Sequence, residues 1–356
     1  MKIGETMPLK TTTIGSYPKP DYVPVPDWFR EESTIKADPT KAYDTYLRTR
    51  IDEVEALLDK ATCEVVKEQV QVGIDIPTDG EIRRENYIHY HCRHLSGIDF
   101  SRLTKKTMRS GSWIGSVPTI TGPIQAKDHF LPRDWHIAQS VTRKPVKMTI
   151  PGPITITDSI ADEYYGDEKR LGQDLADALN AEIRELVKAG CRWIQVDEPL
   201  FARASEKALA YGVENLERCF KGVPKEVTRA MHMCCGYPDV VDNENFPKAP
   251  PEAYFKLAPV IDEADIDAVS IEDAHRHNDL SLLEQFQKTT VIFGAIAIAR
   301  SRVETVGEIS ARLKEALRHI DARRLMVAPD CGLGMLDRKT VLSKLKNMVK
   351  AAGQIG

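Results

Sequence analysis

Eight short runs of β-branched and apolar residues recur along the 356-residue chain, and most of them precede a segment with helical periodicity. The clearest such segment is 169–189, where leucine and isoleucine recur every three or four residues and so line one helix face. Strands that alternate with helices form parallel sheets, and eight strands favour a closed barrel over an open sheet. We therefore predict an α/β fold, a (β/α)8 TIM barrel built as a single catalytic domain over residues 1–356. The predicted strands are 11–16, 74–79, 146–150, 193–197, 228–233, 267–271, 291–298 and 325–329.

Two regions interrupt this alternation. Residues 17–40 are rich in proline and aromatic side chains, and we predict a long loop that follows the first strand. Residues 83–145 contain glycine, serine and short alternating segments such as 112–117, which are typical of β structure. We predict that 83–145 is an insertion between the second and third strands and that it contains a β-hairpin.

The composition excludes several classes of protein. The net charge is −4 and the basic residues are spread along the chain, which gives no sign of a nucleic-acid surface. No apolar run approaches the roughly 20 residues that a membrane span needs, and the first residues lack the hydrophobic core of a signal peptide. Seven cysteines without small-scaffold spacing argue against a disulfide framework. We expect a cytoplasmic protein that binds neither nucleic acid nor membrane.

Metal-binding side chains stand at three predicted strand ends. His232 and Cys234 are two residues apart, so their side chains share one face of the strand. Glu272 and Cys331 each follow another predicted strand, and barrel enzymes carry their chemistry at the C-terminal strand ends. Imidazole, two thiolates and a carboxylate form a plausible zinc ligand set. The alternative is that Cys331 is a buried core thiol and Glu272 a solvated strand end.

Further polar groups follow other strands. Asp197 and Glu198 end one strand and Glu81 follows another, so these carboxylates could hold a substrate amine or act as acid and base. Asp197 and Glu198 could equally cap the helix that follows. Ile14 and Ser16 end the first strand with backbone donors and a hydroxyl that suit a carboxylate ligand, although this is also a common turn composition.

The order and spacing of these motifs resemble the catalytic C-terminal barrel of the cobalamin-independent methionine synthases, over nearly the whole chain. The motifs are Thr12-Thr13-Ile14-Gly15-Ser16, Gly152-Pro153-Ile154-Thr155, Ile194-Gln195-Val196-Asp197-Glu198-Pro199, His232-Met233-Cys234, Ser270-Ile271-Glu272 and Pro329-Asp330-Cys331-Gly332-Leu333. The resemblance implies that the zinc ligands are His232, Cys234, Glu272 and Cys331. It implies that the residues holding the amino-acid substrate are Ile14, Ser16, Glu81 and Asp197.

The resemblance also implies an activity. In the family, the thiol is homocysteine and the donor is a methyl-folate, so we expect a zinc-dependent S-methyltransferase that forms methionine through a zinc-bound thiolate nucleophile. Zinc lowers the pKa of a bound thiol. Two cysteines and one glutamate bring three negative charges to Zn²⁺, so a bound thiolate keeps its electron density and remains nucleophilic.

The sequence departs from the family on the side of the methyl donor. Full-length relatives carry Asn-Trp-Ser after the Gly-Pro motif, with the Trp on the folate, whereas residues 156–159 contain no aromatic side chain. The family's proton-donating histidine is replaced by Ala299 and a nearby aspartate by Ala297. His275 and His277, which follow Glu272, are alternative proton donors, unless they belong to a solvated loop.

These departures leave other functions open. Epoxyalkane:coenzyme M transferase uses similar zinc ligands to alkylate coenzyme M with an epoxide. An activity of this kind would explain why the residues that contact the folate are missing. Uroporphyrinogen decarboxylase is a lyase that shares the barrel, but it needs no such ligand set. A non-catalytic protein that binds zinc or thiols is the remaining alternative.

Overall fold

The computed structural model describes residues 8–25, 43, 51–108, 113–238, 240–243 and 245–355. The strands of this part are β1 Leu95–Met108, β2 Trp113–Ala126, β3 Lys147–Pro151, β4 Ala161–Asp162, β5 Trp193–Asp197, β6 Thr228–Met233, β7 Ala268–Ile271, β8 Thr290–Ile296 and β9 Leu325–Pro329. The α-helices are α1 Ile51–Gln71, α2 Tyr87–Cys92, α3 Leu131–Gln139, α4 Pro153–Ser159, α5 Glu168–Ala189, α6 Ser205–Lys207, α7 Val213–Cys219, α8 Glu252–Glu263, α9 Val306–Ala316 and α10 Arg338–Gly353. A π-helical turn spans Ala208–Gly212, and 3₁₀ turns span Leu280–Gln285 and Ala322–Arg324.

Six strands form one parallel sheet in the order β3-β5-β6-β7-β8-β9. Two extended segments complete the ring through single bridges: Thr11 pairs with Val327 of β9, and Thr78 pairs with Lys147 of β3. A third bridge joins the two segments to each other, between Thr12 and Ile76. Together they take the places of the first two predicted strands. The predicted (β/α)8 barrel is therefore confirmed.

The first two barrel strands differ from the prediction. They are extended segments joined by isolated bridges rather than regular strands. Pro77 lacks the N–H that a regular ladder needs. Threonine hydroxyls supply bonds across the gap instead: Thr12 Oγ1 donates to the carbonyl of Ile76 at 2.7 Å, and Thr78 Oγ1 donates to that of Gly15 at 2.9 Å. The β-branched pattern therefore correctly predicted extended backbone. Side-chain hydrogen bonds replace some of the backbone hydrogen bonds that a regular strand pair would have.

Both faces of the barrel strands are buried, which is usual for a parallel sheet covered by helices. The outward side chains pack with the helices in the main hydrophobic core. Small and apolar side chains fill the barrel interior, and these are Ile14, Ile76, Ala230, Ala268, Ile292, Met326 and Ala328. The interior is a packed core, so the polar groups above it are held on rigid elements.

Helix α5 shows why the sequence pattern was readable. Its N-terminus is capped by Asp167, whose side chain accepts from the backbone N–H groups of Lys169 and Arg170. Its C-terminus ends at Gly190, whose φ of 114° is the left-handed conformation that glycine adopts without strain. The predicted segment 169–189 therefore matches an observed helix almost residue for residue.

A β-hairpin lies between the second extended segment of the barrel and strand β3, as predicted. Strands β1 and β2 pair antiparallel, and the two-residue β4 adds to β2 in parallel. Lys106 of β1 ties the hairpin to the barrel by donating to the carbonyls of Thr157 and Ile160, at the C-terminal end of α4. The assignment of 1–356 to one domain and the insertion limits at 83 and 145 stay predictions. Of the predicted loop 17–40, residues 26–40 lie outside the described residues.

None of the helices in the described ranges is both long enough and apolar enough to cross a membrane.

Candidate metal centre

His232, Cys234 and Cys331 converge at the C-terminal mouth of the barrel. His232 lies near the end of β6, Cys234 directly follows that strand, and Cys331 lies just beyond β9. One potential ligand atom from each lies within 4.8 Å of the others. His232 and Cys234 are buried and Cys331 is half-buried. One imidazole nitrogen and two sulfurs fit the borderline-soft preference of Zn²⁺, so the donor set passes the chemical test for zinc.

The ring of His232 is oriented by hydrogen bonds on both of its nitrogens. Nδ1 lies 3.0 Å from Ser270 Oγ, and Nε2 lies 3.2 Å from the sulfur of Cys331. A hydroxyl that accepts from Nδ1–H would leave the Nε2 lone pair directed at the sulfurs, which is how outer contacts commonly orient a metal-binding histidine. Ser270 lies on the adjacent β7, so the sheet itself fixes this orientation.

The two sulfurs are electrostatically coupled. The pKa of Cys234 is held well below its usual range because Cys331 hydrogen-bonds to its sulfur, and His232 adds to this effect against the cost of burial. The pKa of Cys331 is raised in turn, since Cys234 takes the negative charge and burial disfavours a second one. The site therefore favours a thiolate at Cys234 and a thiol at Cys331.

Glu272 lies at its predicted strand end, but its oxygens contact other groups. Oε1 lies 2.8 Å from Nζ of Lys248, and Oε2 accepts from the backbone N–H of Cys235 at 2.9 Å. Burial raises the pKa of Glu272, and the Lys248 ammonium opposes this rise. The carboxylate therefore pairs with an ammonium group and is not part of the three-residue group. Lys248 lies in the irregular segment before α8, where no sequence pattern indicated it.

Two carboxylates share the mouth with the thiols. Glu81 Oε1 accepts from Thr149 Oγ1 at 2.8 Å, and Arg84 lies 3.3 Å from the same oxygen. Burial raises the pKa of Glu81, and Arg84 opposes the shift. Burial also raises the pKa of Asp197 to about 7; His232 opposes this rise and Glu81 adds to it. Both carboxylates therefore lie in the electrostatic field of the same site.

Ser16, at the end of the first extended segment, borders the loop that carries Cys331. The carbonyl of Ser16 accepts from Leu333 N–H at 2.7 Å, and its hydroxyl lies 3.3 Å from the backbone nitrogen of Gly334. A Cβ on Gly332 would lie 2.2 Å from Ser16 Oγ, so glycine is needed for this close approach. The carbonyl of Ile14 accepts from Gln195 Nε2 at 2.9 Å. The structure thus places Ser16 against the loop that carries Cys331, whereas Ile14 is linked to Gln195.

Glu198 faces the N-terminus of α4. Its Oε1 accepts from the N–H of Ile154 at 3.0 Å, and its Oε2 accepts from both the N–H and the hydroxyl of Thr155. Burial raises the pKa of Glu198 to about 8, and these three donors oppose the rise. Glu198 therefore caps a helix, but this helix is α4 after the neighbouring strand β3, not the one that follows Glu198. A role for Glu198 in substrate binding stays a prediction.

The two histidines after Glu272 have different surroundings. His275 Nε2 accepts from the backbone N–H groups of Ile298 and Ala299, at 3.1 and 3.2 Å, so a proton on this ring would be carried by Nδ1. Its ring therefore contacts the segment in which Ala299 replaces the family's histidine. His277 is exposed. Their roles as proton donors stay predictions.

Sequence reasoning missed a buried carboxylate next to Cys331. Asp330 accepts from three consecutive backbone N–H groups, those of Asp273 and Ala274 at 2.9 Å and that of His275 at 2.6 Å. These groups follow Glu272, so Asp330 joins the strand end that carries Cys331 to the loop after β7. The one available signal was an aspartate directly before a candidate ligand.

A (β/α)8 barrel with a His-Cys-Cys group and two buried carboxylates at its C-terminal mouth has the organisation of a metal-dependent enzyme. Residues 9–354 match the family described as the cobalamin-independent synthase catalytic domain. The chain belongs to this family, and it is an enzyme of the methionine synthase type, a methyltransferase. The resemblance noted in the sequence is thereby confirmed, and family membership does not support the decarboxylase-like lyase alternative.

Similar proteins include two archaeal methionine synthases. That of Sulfolobus acidocaldarius is 30% identical over 344 residues, which is 96% of this chain and 91% of the relative. That of Saccharolobus solfataricus is 29% identical over 346 residues, covering 96% and 93% of the two chains. Among solved structures, a B12-independent methionine synthase from Shewanella sp. W3-18-1 in complex with selenomethionine is 28% identical, with a TM-score of 0.84 over 97% of both chains. A putative vitamin-B12 independent methionine synthase from Listeria monocytogenes, 19% identical with a TM-score of 0.71 over 99% of both chains, supports the fold.

Proposed function

We propose that this enzyme is a zinc-dependent thiol alkyltransferase that methylates homocysteine to form methionine. The observation that carries the proposal is the convergence of His232, Cys234 and Cys331 within 4.8 Å, at a mouth that also holds Glu81 and Asp197. Such a mouth offers soft ligands for one end of an amino-acid thiol and carboxylates for its ammonium group. The methionine synthase relatives make homocysteine the thiol of choice. A cytoplasmic location stays a prediction.

The protein residues that would hold zinc are His232, Cys234 and Cys331, and family resemblance adds Glu272. A bound zinc ion would lower the pKa of a substrate thiol, so that the thiolate persists at neutral pH. For Glu272 to contribute an oxygen, its carboxylate would have to leave Lys248, with which it pairs at 2.8 Å. Ser270 would orient the His232 ring in either case.

The substrate's amino-acid end would be held by groups next to the three metal-binding side chains. The buried carboxylates of Glu81 and Asp197 are suited to its ammonium group. Glu81 is held in a left-handed backbone conformation, with φ of 54°, and its N–H donates to Asp79 Oδ1 at 3.1 Å. Such backbone strain is retained where the surroundings fix a side chain in place. Ile14 and Ser16 would face the substrate's carboxylate.

In the chemical step, the substrate sulfur would attack the methyl carbon, form the S–C bond and displace the donor's leaving group with its electron pair. That leaving group must then acquire a proton. The proposed donor is of the 5-methyltetrahydrofolate type. His277 is exposed and His275 would use Nδ1, so each is a candidate source of the proton.

The proposal is tested by calorimetric titration of the zinc-loaded protein with L-homocysteine, in two buffers of different ionisation enthalpy. We expect release of about one proton per chain, because the thiol deprotonates as it binds the metal. L-methionine is the control, since it has no thiol proton and should bind without release. Proton release with coenzyme M and not with homocysteine would replace the proposal with the coenzyme M alternative. Release with neither thiol would refute both.

A further inference from the structure

A fully buried lysine lies inside the barrel beneath the substrate site. Lys147 is the first residue of β3 and is 0% exposed. Its Nζ donates to Gln195 Oε1 at 2.6 Å. Burying an ammonium group is costly, and small and apolar side chains form a cluster in the same barrel interior, so the presence of this charge there needs an explanation. The metal chemistry described above does not use it.

Gln195 connects this lysine to the substrate site. Because Oε1 accepts from Lys147, the amide must turn its Nε2 in the other direction. Nε2 donates to Asp197 Oδ1 at 2.6 Å and to the carbonyl of Ile14 at 2.9 Å. Gln195 is itself 0% exposed. The lysine therefore fixes the amide, and the amide holds two residues that we assign to the amino-acid substrate.

The same face of β3 supports the second carboxylate. Lys147 and Thr149 are two residues apart and share this inward face. Thr149 donates to Glu81 Oε1 at 2.8 Å, as Gln195 donates to Asp197. Glu81 and Asp197 thus each have one carboxylate oxygen held by a hydrogen bond from a side chain of the barrel interior. Among the described residues, no hydrogen bond is made to Asp197 Oδ2, which leaves that oxygen for a ligand.

The charge of Lys147 also offsets a crowded set of acidic groups. Asp197 lies in the field of Glu81, which disfavours its ionised form. Burial lowers the pKa of Lys147 to about 7, and Asp197 is the charge that opposes this fall. The lysine and the aspartate therefore attract each other across Gln195, which adds to the hydrogen bonds that hold the aspartate in place.

We propose that Lys147 is a positioning residue for the amino-acid substrate: acting through Gln195, it holds the Asp197 carboxylate in the orientation that receives the substrate's α-ammonium group. This inference rests on the proposed function, because it takes the ligand to be an amino-acid thiol. It adds a specific consequence, which is that the loss of Lys147 weakens recognition of the amine and spares recognition of the thiol.

The test compares L-homocysteine with 4-mercaptobutanoic acid, which is homocysteine without its amino group. Dissociation constants of the zinc-loaded protein are measured by calorimetry for the wild type, Lys147→Met and Gln195→Met. Both variants are expected to lose about tenfold in affinity for homocysteine, comparable to the loss of one hydrogen bond to a charged group. Affinity for the deaminated thiol should fall less than affinity for homocysteine in both variants. In Lys147→Met it should change less than about twofold, because this variant leaves Gln195 in place to hold the carbonyl of Ile14. The double variant should lose no more than either single variant, since both act through one chain of contacts.

Lys344→Met is the matched control. Lys344 is also 0% exposed, but it pairs with Glu304 at 2.8 Å on the helix side of the barrel. This variant should lower thermal stability without changing the ratio of the two dissociation constants. If Lys147→Met does not fold, Gln195→Met carries the test, because it keeps the lysine.

The outcomes separate the two proposals. A wild-type protein that binds neither thiol refutes the proposed function, and this inference with it. If the wild type binds homocysteine and the Lys147→Met and Gln195→Met variants bind it with the same dissociation constant, the positioning role alone is refuted. Equal losses for both thiols would likewise overturn it, because they would show a general structural effect.

Discussion

Replacing Cys331 with serine is expected to lower zinc affinity by at least about 100-fold and to abolish methyl transfer. Changes in residues that merely orient a zinc ligand already cost roughly 10- to 100-fold in affinity, so the loss of a ligand should cost more. Cys331 is one of three residues whose potential ligand atoms lie within 4.8 Å of one another. Its replacement would leave only His232 and Cys234 in that group. Competition with a chromophoric chelator measures the affinity, and metal analysis after dialysis measures the content.

Cys63→Ser is the matched control for this substitution. Cys63 is half-buried like Cys331, and its thiol contacts the carbonyl of Ile137 away from the barrel mouth. This variant should keep zinc and activity. A Cys331→Ser protein that retained full zinc and full activity would show that Cys331 is an ordinary buried thiol.

Replacing Asp330 with alanine is expected to lower the free energy of unfolding of the metal-free protein by about 3 kcal/mol. Three buried N–H groups, those of residues 273–275, would lose their acceptor, and each such loss costs roughly 1–3 kcal/mol before water replaces part of it. Asp330 is 1% exposed, so water has little access to the vacated position. Urea unfolding, followed by circular dichroism and tryptophan fluorescence, measures the change.

Asp321→Ala is the comparison for Asp330. Asp321 also accepts from a backbone N–H, that of Arg323, but it lies on the surface and caps a short 3₁₀ turn. Its replacement should shift the unfolding midpoint far less. Equal midpoints for the two variants would mean that the contacts of Asp330 do not hold the loop after β7.

The barrel and the cysteine group were predictable because two simple rules coincide. Strand alternation put His232 and Cys234 on one face, and the strand-end rule brought Cys331 to the same mouth. Neither rule depends on the details of side-chain packing, so the structure has the three side chains where the two rules predicted them. The hairpin was predictable for a similar reason, since alternating polarity over 112–117 is a local signal.

The contacts that tune the site were not predictable. The pairing of Glu272 with Lys248 joins β7 to an irregular segment, and no periodicity indicates a contact across 24 residues. Glu198 illustrates a different difficulty, because a carboxylate at a strand end looks the same in sequence whether it binds a substrate or caps a helix that follows a neighbouring strand. Lys147 and Gln195 read as ordinary polar residues until the barrel brings them together over 48 positions.

Zinc K-edge X-ray absorption tests the central claim most directly, because it counts the sulfur atoms around the metal. In the zinc-loaded protein without substrate, we expect two sulfur neighbours at about 2.3 Å, from Cys234 and Cys331. Addition of L-homocysteine should raise the count from two to three, and addition of L-methionine should leave it at two. A count that stays at two with saturating homocysteine would contradict the account, because the substrate's sulfur would then bind elsewhere.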